Sequence, residues 1–202
     1  MSSPTRSSQA WDKRYQTAEM VWSLEPNQFV SEYFDLPVGN MVDVAGGEGR
    51  NALAFAKRGW RVENVEFSAV ALEKFEARAI RDGVEGLCHS TLSDAQTAKF
   101  QLEPSLVIMA YLQLPWQDLE LALDNALSQL SSGSFFGVFH ARRNLLEGYG
   151  GPQSIDLLPS IEQFSNWADK SSVDAKIEER LREVETPDGT KVAIDLTVLV
   201  RR

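Results

Sequence analysis

The feature that most constrains the fold is a glycine-rich segment, Gly46-Gly47-Glu48-Gly49, between an apolar strand and a helix. The strand is predicted at residues 41–45 and the helix at residues 50–58. A second strand follows at residues 60–67 and carries an acid, Glu66, near its end. This order of strand, bare loop, helix and strand predicts a βαβ unit with parallel strands.

The rest of the chain continues the alternation of strands and helices. Ser68 suits the N-cap of a helix that runs to about residue 81. Further strands are predicted at residues 86–90, 106–110 and 134–140, with a helix at 116–130 between the last two. Two alternating runs, residues 176–185 and 191–200, then flank Pro187-Asp188-Gly189, which is a hairpin signal. We therefore predict an α/β fold whose parallel sheet ends in an antiparallel hairpin.

Composition narrows the class of protein. A chain of 202 residues with 43% hydrophobic residues suits one domain, predicted at residues 11–202 after a Ser-rich disordered tail at 1–10. The net charge of −9 disfavours a nucleic-acid partner. No apolar segment approaches the roughly 20 residues needed to cross a membrane, and a single cysteine suits the cytoplasm. We find no metal-ligand spacing, and we expect a monomer or homodimer.

The glycine-rich loop and Glu66 together predict a nucleotide-type cofactor. A bare loop lets such a ligand approach the backbone, and an acid after the second strand can accept hydrogen bonds from ribose hydroxyls at a spacing of about 20 residues. The alternative is a tight turn in which Glu66 only caps Ser68 or faces solvent. Glu48 in the loop and Asp43 in the strand would repel a pyrophosphate but suit a cofactor with an ammonium and a sulfonium. The residues therefore disfavour a dinucleotide.

These residues also match a known family. Residues 42–52 (VDVAGGEGRNA) resemble the first motif of class I S-adenosylmethionine-dependent methyltransferases, in the branch of tellurite-resistance and thiopurine enzymes. The resemblance covers nearly the whole chain, and its other motifs are Trp11-Asp12-x-x-Tyr15, Trp22-x-x-Glu25-Pro26-Asn27, Glu66-Phe67-Ser68, Tyr111-Leu112-Gln113-Leu114-Pro115 and residues 140–145. It implies a Rossmann-like seven-stranded mixed sheet with an antiparallel last strand and helices on both faces. It also implies methyl transfer from S-adenosylmethionine to a small molecule, such as a thiol, a selenium or tellurium oxyanion, or a heteroaromatic nitrogen.

The resemblance assigns the cofactor contacts. It implies main-chain contacts from Ala45 to Gly47 for the methionine part, Glu66 for the ribose, Phe67 against the adenine and Ala110 behind the sulfonium. Thr91 and Leu92 would frame the adenine edge, and the remaining contacts expected are Asp43, Asn51 and Ser68.

The chain departs from the family pattern in three ways. In the loop, Ala45 stands where glycine is usual and Gly46 where a larger residue is usual, which suggests a shifted loop path. Thr91 replaces a common aspartate, for which Asp94 is the candidate substitute. Glu66 replaces the commoner aspartate and is chemically tolerated. Together the departures predict a weaker affinity for the cofactor.

An aromatic stripe precedes the first strand. Trp11, Tyr15 and Trp22 are spaced for one helical face and its continuation. We predict that residues 11–35 form helices of a lid, whose aromatic rings contact the sulfonium by cation–π interactions of roughly 0.5–2 kcal/mol. The alternative is simple core packing of the three rings.

The acceptor side has fewer signals. His140, at the end of the fifth strand, is the candidate general base, with Tyr111 and Gln113 opposite it. A hydrogen-bonded histidine without catalytic role is the alternative. Arg142 and Arg143 are candidates to clamp an anionic acceptor, or are simply solvated. Two rival functions stay open, a cofactor-binding protein without turnover and an NAD-dependent oxidoreductase.

Overall fold

The computed structural model describes residues 7–17 and 24–202 of the chain. Its strands are β1 (Asn40–Val44), β2 (Arg61–Glu66), β3 (Cys88–Leu92), β4 (Leu106–Ala110), β5 (Ser134–His140), β6 (Ala175–Thr186) and β7 (Gly189–Arg201). Its α-helices are α1 (Ser8–Gln16), α2 (Arg50–Ala56), α3 (Ala69–Arg81), α4 (Trp116–Ser128), α5 (Asn144–Glu147) and α6 (Ile161–Lys170). Short 3-10 turns lie at Val30–Tyr33, Glu85–Leu87 and Ile155–Leu157.

The strands form one seven-stranded sheet in the order β3-β2-β1-β4-β5-β7-β6. Strands β1 to β5 pair in parallel, and β7 runs antiparallel to both β5 and β6. The predicted mixed sheet with its reversed last strand is confirmed. Strand order changes direction between β1 and β4, and in such sheets ligands bind outside the carboxyl ends of the strands at this point.

The hydrophobic core lies on both faces of the sheet, because successive side chains of a strand point to opposite sides. In β4, Val107 and Met109 pack with the apolar sides of α4 and α6. Leu106 and Ile108 pack on the opposite face with α2 and α3. Each fully buried aliphatic or aromatic side chain contributes roughly 1.5–3 kcal/mol, so the two layers together hold the strand ends in place.

Several boundaries differ from the sequence prediction. β3 starts at Cys88, two residues later than expected, because Glu85–Leu87 forms a 3-10 turn before it. Helix α6 was not predicted, although Ser160 and Gln163 form a capping box at its start. In the described part of the chain, no helix is long and apolar enough to cross a bilayer.

The N-terminal segment also differs. Helix α1 begins at Ser8, since the Ser7 side chain accepts a hydrogen bond from the Ala10 N–H. Residues 8–10, which we had predicted as disordered tail, are therefore helical. The second expected lid helix is a 3-10 turn at Val30–Tyr33. Residues 1–6 and Trp22 lie outside the described residues.

Candidate functional site

A cavity of about 460 Å³ opens at the carboxyl ends of the parallel strands, where the strand order changes direction. It is bounded by the loop after β1, the ends of β2, β4 and β5, and one side of α1. Most of the site residues predicted from the sequence line it: Trp11, Tyr15, Ala45, Gly46, Gly47, Asn51, Glu66, Phe67, Ala110, Tyr111, Gln113 and His140. The tertiary structure thus brings the two halves of the predicted site together in one cavity.

The loop after β1 owes its path to its small residues. Ala45 and Gly47 both have positive φ, 56° and 57°, which is a conformation that glycine adopts more readily than alanine. Gly46 has no such φ, but a Cβ there would lie 2.2 Å from Asn64 Oδ1 and 2.8 Å from Asp43 Cγ. The departures from the family pattern are therefore accommodated, because position 46 needs the bare backbone while position 45 tolerates a methyl group at some strain.

Glu66 lies at the floor of the cavity and also supports the loop. Its Oε2 accepts a hydrogen bond from the Gly47 N–H, and its Oε1 accepts from the N–H groups of Phe67 and Ser68, all at 3.0 Å. The side chain is 4% exposed. Burial raises the pKa of Glu66 above its ordinary value, against the three hydrogen bonds that work to lower it. Glu66 therefore makes the contact to Ser68 that the sequence offered as the alternative to a ribose contact, and it also lines the cavity.

The backbone N–H groups of the loop are mostly used within the protein. Those of Ala45 and Gly46 donate to the Val65 carbonyl at 2.8 and 3.3 Å, and that of Gly49 donates to the Gly46 carbonyl at 3.0 Å. A phosphate cradle needs such groups to be open to the ligand. The loop therefore lacks the usual pattern of a pyrophosphate site.

Two acids do not act at the cavity as the sequence suggested. Glu48 is buried and forms an ion pair with Lys74 at 3.0 Å, so it does not line the cavity or repel a ligand there. Asp43 is fully buried beneath the loop, where its Oδ2 accepts a hydrogen bond from the Ala52 N–H. Burial raises the pKa of Asp43 to about 7. Both acids support the loop from behind.

Helix α1 is fastened over the cavity by polar contacts. Asp12 Oδ1 accepts hydrogen bonds from Ser68 Oγ at 2.5 Å and from the Val70 N–H at 3.4 Å, at the start of α3. Lys74 Nζ, also on α3, donates to the Tyr15 carbonyl at 2.6 Å. These bonds turn the aromatic rings of Trp11 and Tyr15, 5.8 Å apart, to the cavity wall. Ser68, a predicted cofactor contact, instead fastens the lid and caps α3.

The other end of the cavity contains a cluster of polar side chains around Asp195, which is fully buried. Tyr111 donates its hydroxyl proton to Asp195 Oδ2 at 2.7 Å, and Arg182 Nε donates to the same oxygen at 2.6 Å. His140 Nδ1 lies 3.2 Å from Asp195 Oδ1. The Tyr111 ring stacks on the His140 ring with centroids 4.7 Å apart, and Asn27 Nδ2 donates to the Tyr111 hydroxyl. We call Asn27, Tyr111, His140, Arg182 and Asp195 the acceptor-end cluster.

Charge and strain in the acceptor-end cluster are unusual. Burial alone would raise the pKa of Asp195, but the close His140 ring and the hydrogen bonds from Arg182 and Tyr111 outweigh it and hold the pKa below its ordinary value. Burial and the neighbouring Asp195 raise the pKa of Tyr111, so its phenol stays neutral. Tyr111 has φ of 59°, which is rare for a bulky residue and typical of functional sites.

Four other predicted site residues lie away from the cavity. Thr91 donates to Glu63 Oε1 at 2.6 Å, and Leu92 is 62% exposed, so neither reaches the cavity. Arg142 contacts the Leu158 carbonyl and Gln163 Oε1, and Arg143 forms ion pairs with Glu147 and Glu179. The three polar side chains are thus bound by acceptors outside the cavity, and Leu92 faces solvent.

Other residues replace them in the cavity wall. After β3 the wall is formed by residues 93–96, which include Asp94, the substitute considered for the missing aspartate. Three charged residues of the wall were not predicted from the sequence: Arg50, Asp118 and Arg182. Arg50 directly follows the glycine-rich loop, which was a usable signal. Arg182 and Asp195 had none, because they lie in an ordinary alternating hairpin.

No family model and no curated protein matches the sequence. Among solved structures, one described as "Conversion of a Disulfide Bond into a Thioacetal Group during Echinomycin Biosynthesis" is similar, with a TM-score of 0.78 at 15% identity over 96% of this chain and 91% of its own. TehB from Haemophilus influenzae gives 0.70 at 12% identity, over 95% and 66%. An S-adenosylmethionine-dependent methyltransferase from Methanosarcina mazei gives 0.67 at 12% identity, over 88% and 98%. At such identities the likeness shows the fold, which is that of class I S-adenosylmethionine-dependent methyltransferases, as the resemblance implied.

Proposed function

We propose that the protein transfers a methyl group from S-adenosylmethionine to a small molecule. The observation that carries this proposal is the bare loop at residues 45–47 facing the buried carboxylate of Glu66, at the point where the strand order of a methyltransferase-type sheet changes direction. A dinucleotide fits less well, because the N–H groups of Ala45, Gly46, Gly47 and Gly49 are already bonded within the protein.

The residues present fit the cofactor. The main chain at residues 45–47 and the side chain of Asn51 would hold its methionine part, and Glu66 its ribose. Phe67 and residues 93–96 would enclose the adenine, with Asp94 in the position that Thr91 does not reach. When bound, S-adenosylmethionine supplies a methyl group whose bond to a cationic sulfur breaks with its electron pair going to sulfur.

The protein's own contribution is alignment and proton handling. Holding the reactants in line can supply about 7–11 kcal/mol of the barrier. Trp11 and Tyr15, fastened over the cavity, would exclude water during the transfer. His140 would take the proton of an acceptor that arrives protonated. Tyr111 does not act as a base, since its hydroxyl is engaged by Asp195 and Asn27 and its raised pKa keeps it neutral.

The residues at the acceptor end of the cavity suggest the chemical class of the acceptor. Gln113, His140 and Arg182 line the acceptor end, which suits a small polar acceptor bearing an exchangeable proton, such as a thiol or a heteroaromatic nitrogen. Arg142 and Arg143 are not part of this proposal, because they are bound elsewhere. We place the protein in the cytoplasm as a monomer or homodimer, on its single cysteine and acidic composition.

Calorimetric titration with S-adenosylmethionine, S-adenosylhomocysteine and NAD tests the cofactor. We expect binding of the first two alone. Glu66→Ala should weaken binding roughly ten- to a hundredfold, because charge-assisted hydrogen bonds contribute roughly 1.5–3 kcal/mol. Glu76→Ala, at an exposed glutamate of α3, is the control. Glu66→Asp, checked by thermal unfolding, separates loss of the ribose partner from collapse of the loop. Undiminished affinity in folded Glu66→Ala contradicts the proposal.

Turnover distinguishes an enzyme from a binding protein. The assay is release of S-adenosylhomocysteine across thiols, selenium and tellurium oxyanions and heteroaromatic amines. Cofactor binding with no release from any acceptor would favour a sensor or partner protein instead. Two observations support the enzyme over that rival: Ala45 adopts the positive φ that the loop needs, and Asp94 lines the cavity that Thr91 does not reach.

A further inference from the structure

We propose that Asp195 and Arg182, both supplied by the β6–β7 hairpin, are positioning residues that keep the proton of a neutral His140 on Nδ1 and so present Nε2 to the acceptor. This proposal rests on the proposed methyl transfer and names how its base is oriented. Neither residue carries a sequence motif, and their place follows only from the way the hairpin joins the sheet.

Strand register brings the three residues together. In the antiparallel pair β5–β7, His140 lies directly opposite Asp195, so the two side chains stand on the same face of the sheet. In the pair β6–β7, Arg182 lies opposite Ala193, two residues from Asp195, which is within diagonal reach of a long side chain. The reversed last strand is therefore what places a carboxylate beside the histidine at the end of β5.

The facing atoms of His140 and Asp195 are buried, so each depends on the other for a hydrogen bond. Both His140 Nδ1 and Asp195 Oδ1 are buried, 3.2 Å apart, and have no hydrogen-bond partner elsewhere among the described residues. Their alignment falls short of a good hydrogen bond in this structure, as is common for catalytic pairs without ligand. A buried carboxylate oxygen without a donor is destabilising, and the Nδ1 proton of His140 is the donor placed to satisfy it.

The other oxygen of Asp195 is already occupied. Its Oδ2 accepts from Arg182 Nε at 2.6 Å and from the Tyr111 hydroxyl at 2.7 Å. These two donors keep the carboxylate ionised and fix its plane, so that Oδ1 stays turned to His140. Arg182 is 21% exposed and Asp195 is not exposed, so this ion pair is only weakly screened by solvent.

The histidine ring is held on its other sides as well. Tyr111 stacks on one side of the ring. Gly151, with φ of 78°, passes so close that a Cβ there would lie 2.8 Å from Cγ and 3.0 Å from Nδ1 of His140. Tyr111 and Gly151 thus hold the ring between them, while Asp195 stands at Nδ1 and the residue lines the cavity.

The chemistry follows from this orientation. The acceptor X–H gives its proton to His140 Nε2, and its freed electron pair forms the new bond to the methyl carbon. The imidazolium that results has a positive charge, which Asp195 at 3.2 Å stabilises. The charged group in contact with the His140 ring is Asp195 with its partner Arg182, and the guanidinium groups of Arg50 and Arg182 lie 5.8 and 5.6 Å from the centroid of the neighbouring Tyr111 ring.

Nitrogen-15 NMR of the ring nitrogens tests the proposal without any turnover. The chain has two histidines, so His89 is an internal reference. At pH 9 we expect the wild type to show His140 in the Nδ1–H tautomer. Asp195→Asn should abolish that preference, Arg182→Gln should reduce it, and Arg180→Gln should leave it unchanged. Arg180 is the matched control, because it lies on the same strand as Arg182 and opposite Asp195, but its guanidinium binds Glu32.

Kinetics give the second measurement once an acceptor is known. Asp195→Asn should lower kcat by about a hundredfold and Arg182→Gln by about tenfold, with cofactor affinity changed less than twofold. An Nε2–H tautomer in the wild type, or an unchanged tautomer in folded Asp195→Asn, overturns this inference. Failure to bind S-adenosylmethionine overturns the proposed function instead, so the two failures are distinguishable.

Discussion

The two ends of the cavity are built in opposite ways. The cofactor end is built around one contiguous stretch, residues 43–68, in which polar side chains bond mainly to backbone: Asp43 to Ala52, and Glu66 to Gly47, Phe67 and Ser68. The acceptor-end cluster comes from five separate segments, and its contacts join side chain to side chain. One end is local and supported by backbone, while the other exists only in the folded sheet.

Both ends carry a non-glycine residue in the left-handed region, with φ of 56° at Ala45 and 59° at Tyr111. At the cofactor end the side chain concerned is a methyl group, and the strained residue contributes its backbone. At the acceptor end the strained residue is bulky and delivers a hydroxyl to Asp195. The cofactor end therefore depends on small or absent side chains, whereas the acceptor end depends on the placement of particular side chains.

The largest effect is expected at the cofactor end and depends on pH. Asp43 has a pKa of about 7 in the folded state against an ordinary 3.8, so between these values the folded protein holds a proton that the unfolded chain releases. The contribution of protonated Asp43 to the free energy of unfolding therefore falls as pH rises towards 7, by roughly 1.4 kcal/mol per pH unit. Asp43→Asn cannot titrate and keeps an oxygen for the Ala52 N–H. Its stability relative to wild type should rise by roughly 3 kcal/mol between pH 5 and pH 8 in urea unfolding.

Asp169→Asn is the control for this pH effect, because Asp169 is exposed on α6. The difference between that variant and wild type should stay nearly constant over the same range. A constant difference for Asp43→Asn as well would mean that the buried carboxylate is not protonated on folding, and that the cofactor end tolerates a buried charge.

An intermediate effect is expected in the acceptor-end cluster. Tyr111→Phe removes the donor to Asp195 Oδ2 and the acceptor for Asn27 Nδ2, but keeps the aromatic ring against His140. We expect the free energy of unfolding to fall by about 2 kcal/mol, since a hydrogen bond to a charged group is lost. Cofactor affinity should not change. Tyr149→Phe, at a tyrosine that is 45% exposed, should change neither quantity.

If Tyr111→Phe weakened cofactor binding as strongly as Glu66→Ala, the two ends of the cavity would be energetically coupled rather than separate. Titration calorimetry on both variants decides this directly, provided that each is shown to be folded by its thermal transition.

The smallest effect is expected at Ala45 and has the opposite sign. Ala45→Gly relieves the cost of a left-handed alanine, roughly 1–2 kcal/mol, but adds freedom to the unfolded chain. We expect a net gain of about 0.5 kcal/mol in unfolding free energy, with unchanged cofactor affinity because the backbone already has the glycine-like path. Ala77→Gly on the exposed side of α3 should instead lose about 1 kcal/mol. Tighter cofactor binding in Ala45→Gly would mean that the alanine itself weakens cofactor affinity, as its departure from the family pattern predicted.

Features that depend on residues close together in the chain could be predicted from the sequence, and contacts between remote segments could not. The strands β4 and β5, the Ser68 cap and the hairpin were all predictable, because each depends on residues close together in the chain. The loop and Glu66 were predictable for the same reason. Arg142 and Arg143 were predicted beside the acceptor, but the partners that draw them away, Gln163 and Glu179, are remote in sequence.

The sequence by itself determined the order of strands and helices, the bare loop and the acid that faces it, because hydrophobic periodicity and glycine placement act over short distances. Only the tertiary structure decided which charged residues meet at the acceptor end. Asp195 and Arg182 reach His140 through the register of an antiparallel pair. The turn sets the register within the hairpin, but the register of β7 against β5 is set by the packing of whole faces of the sheet, and no local pattern of residues encodes it.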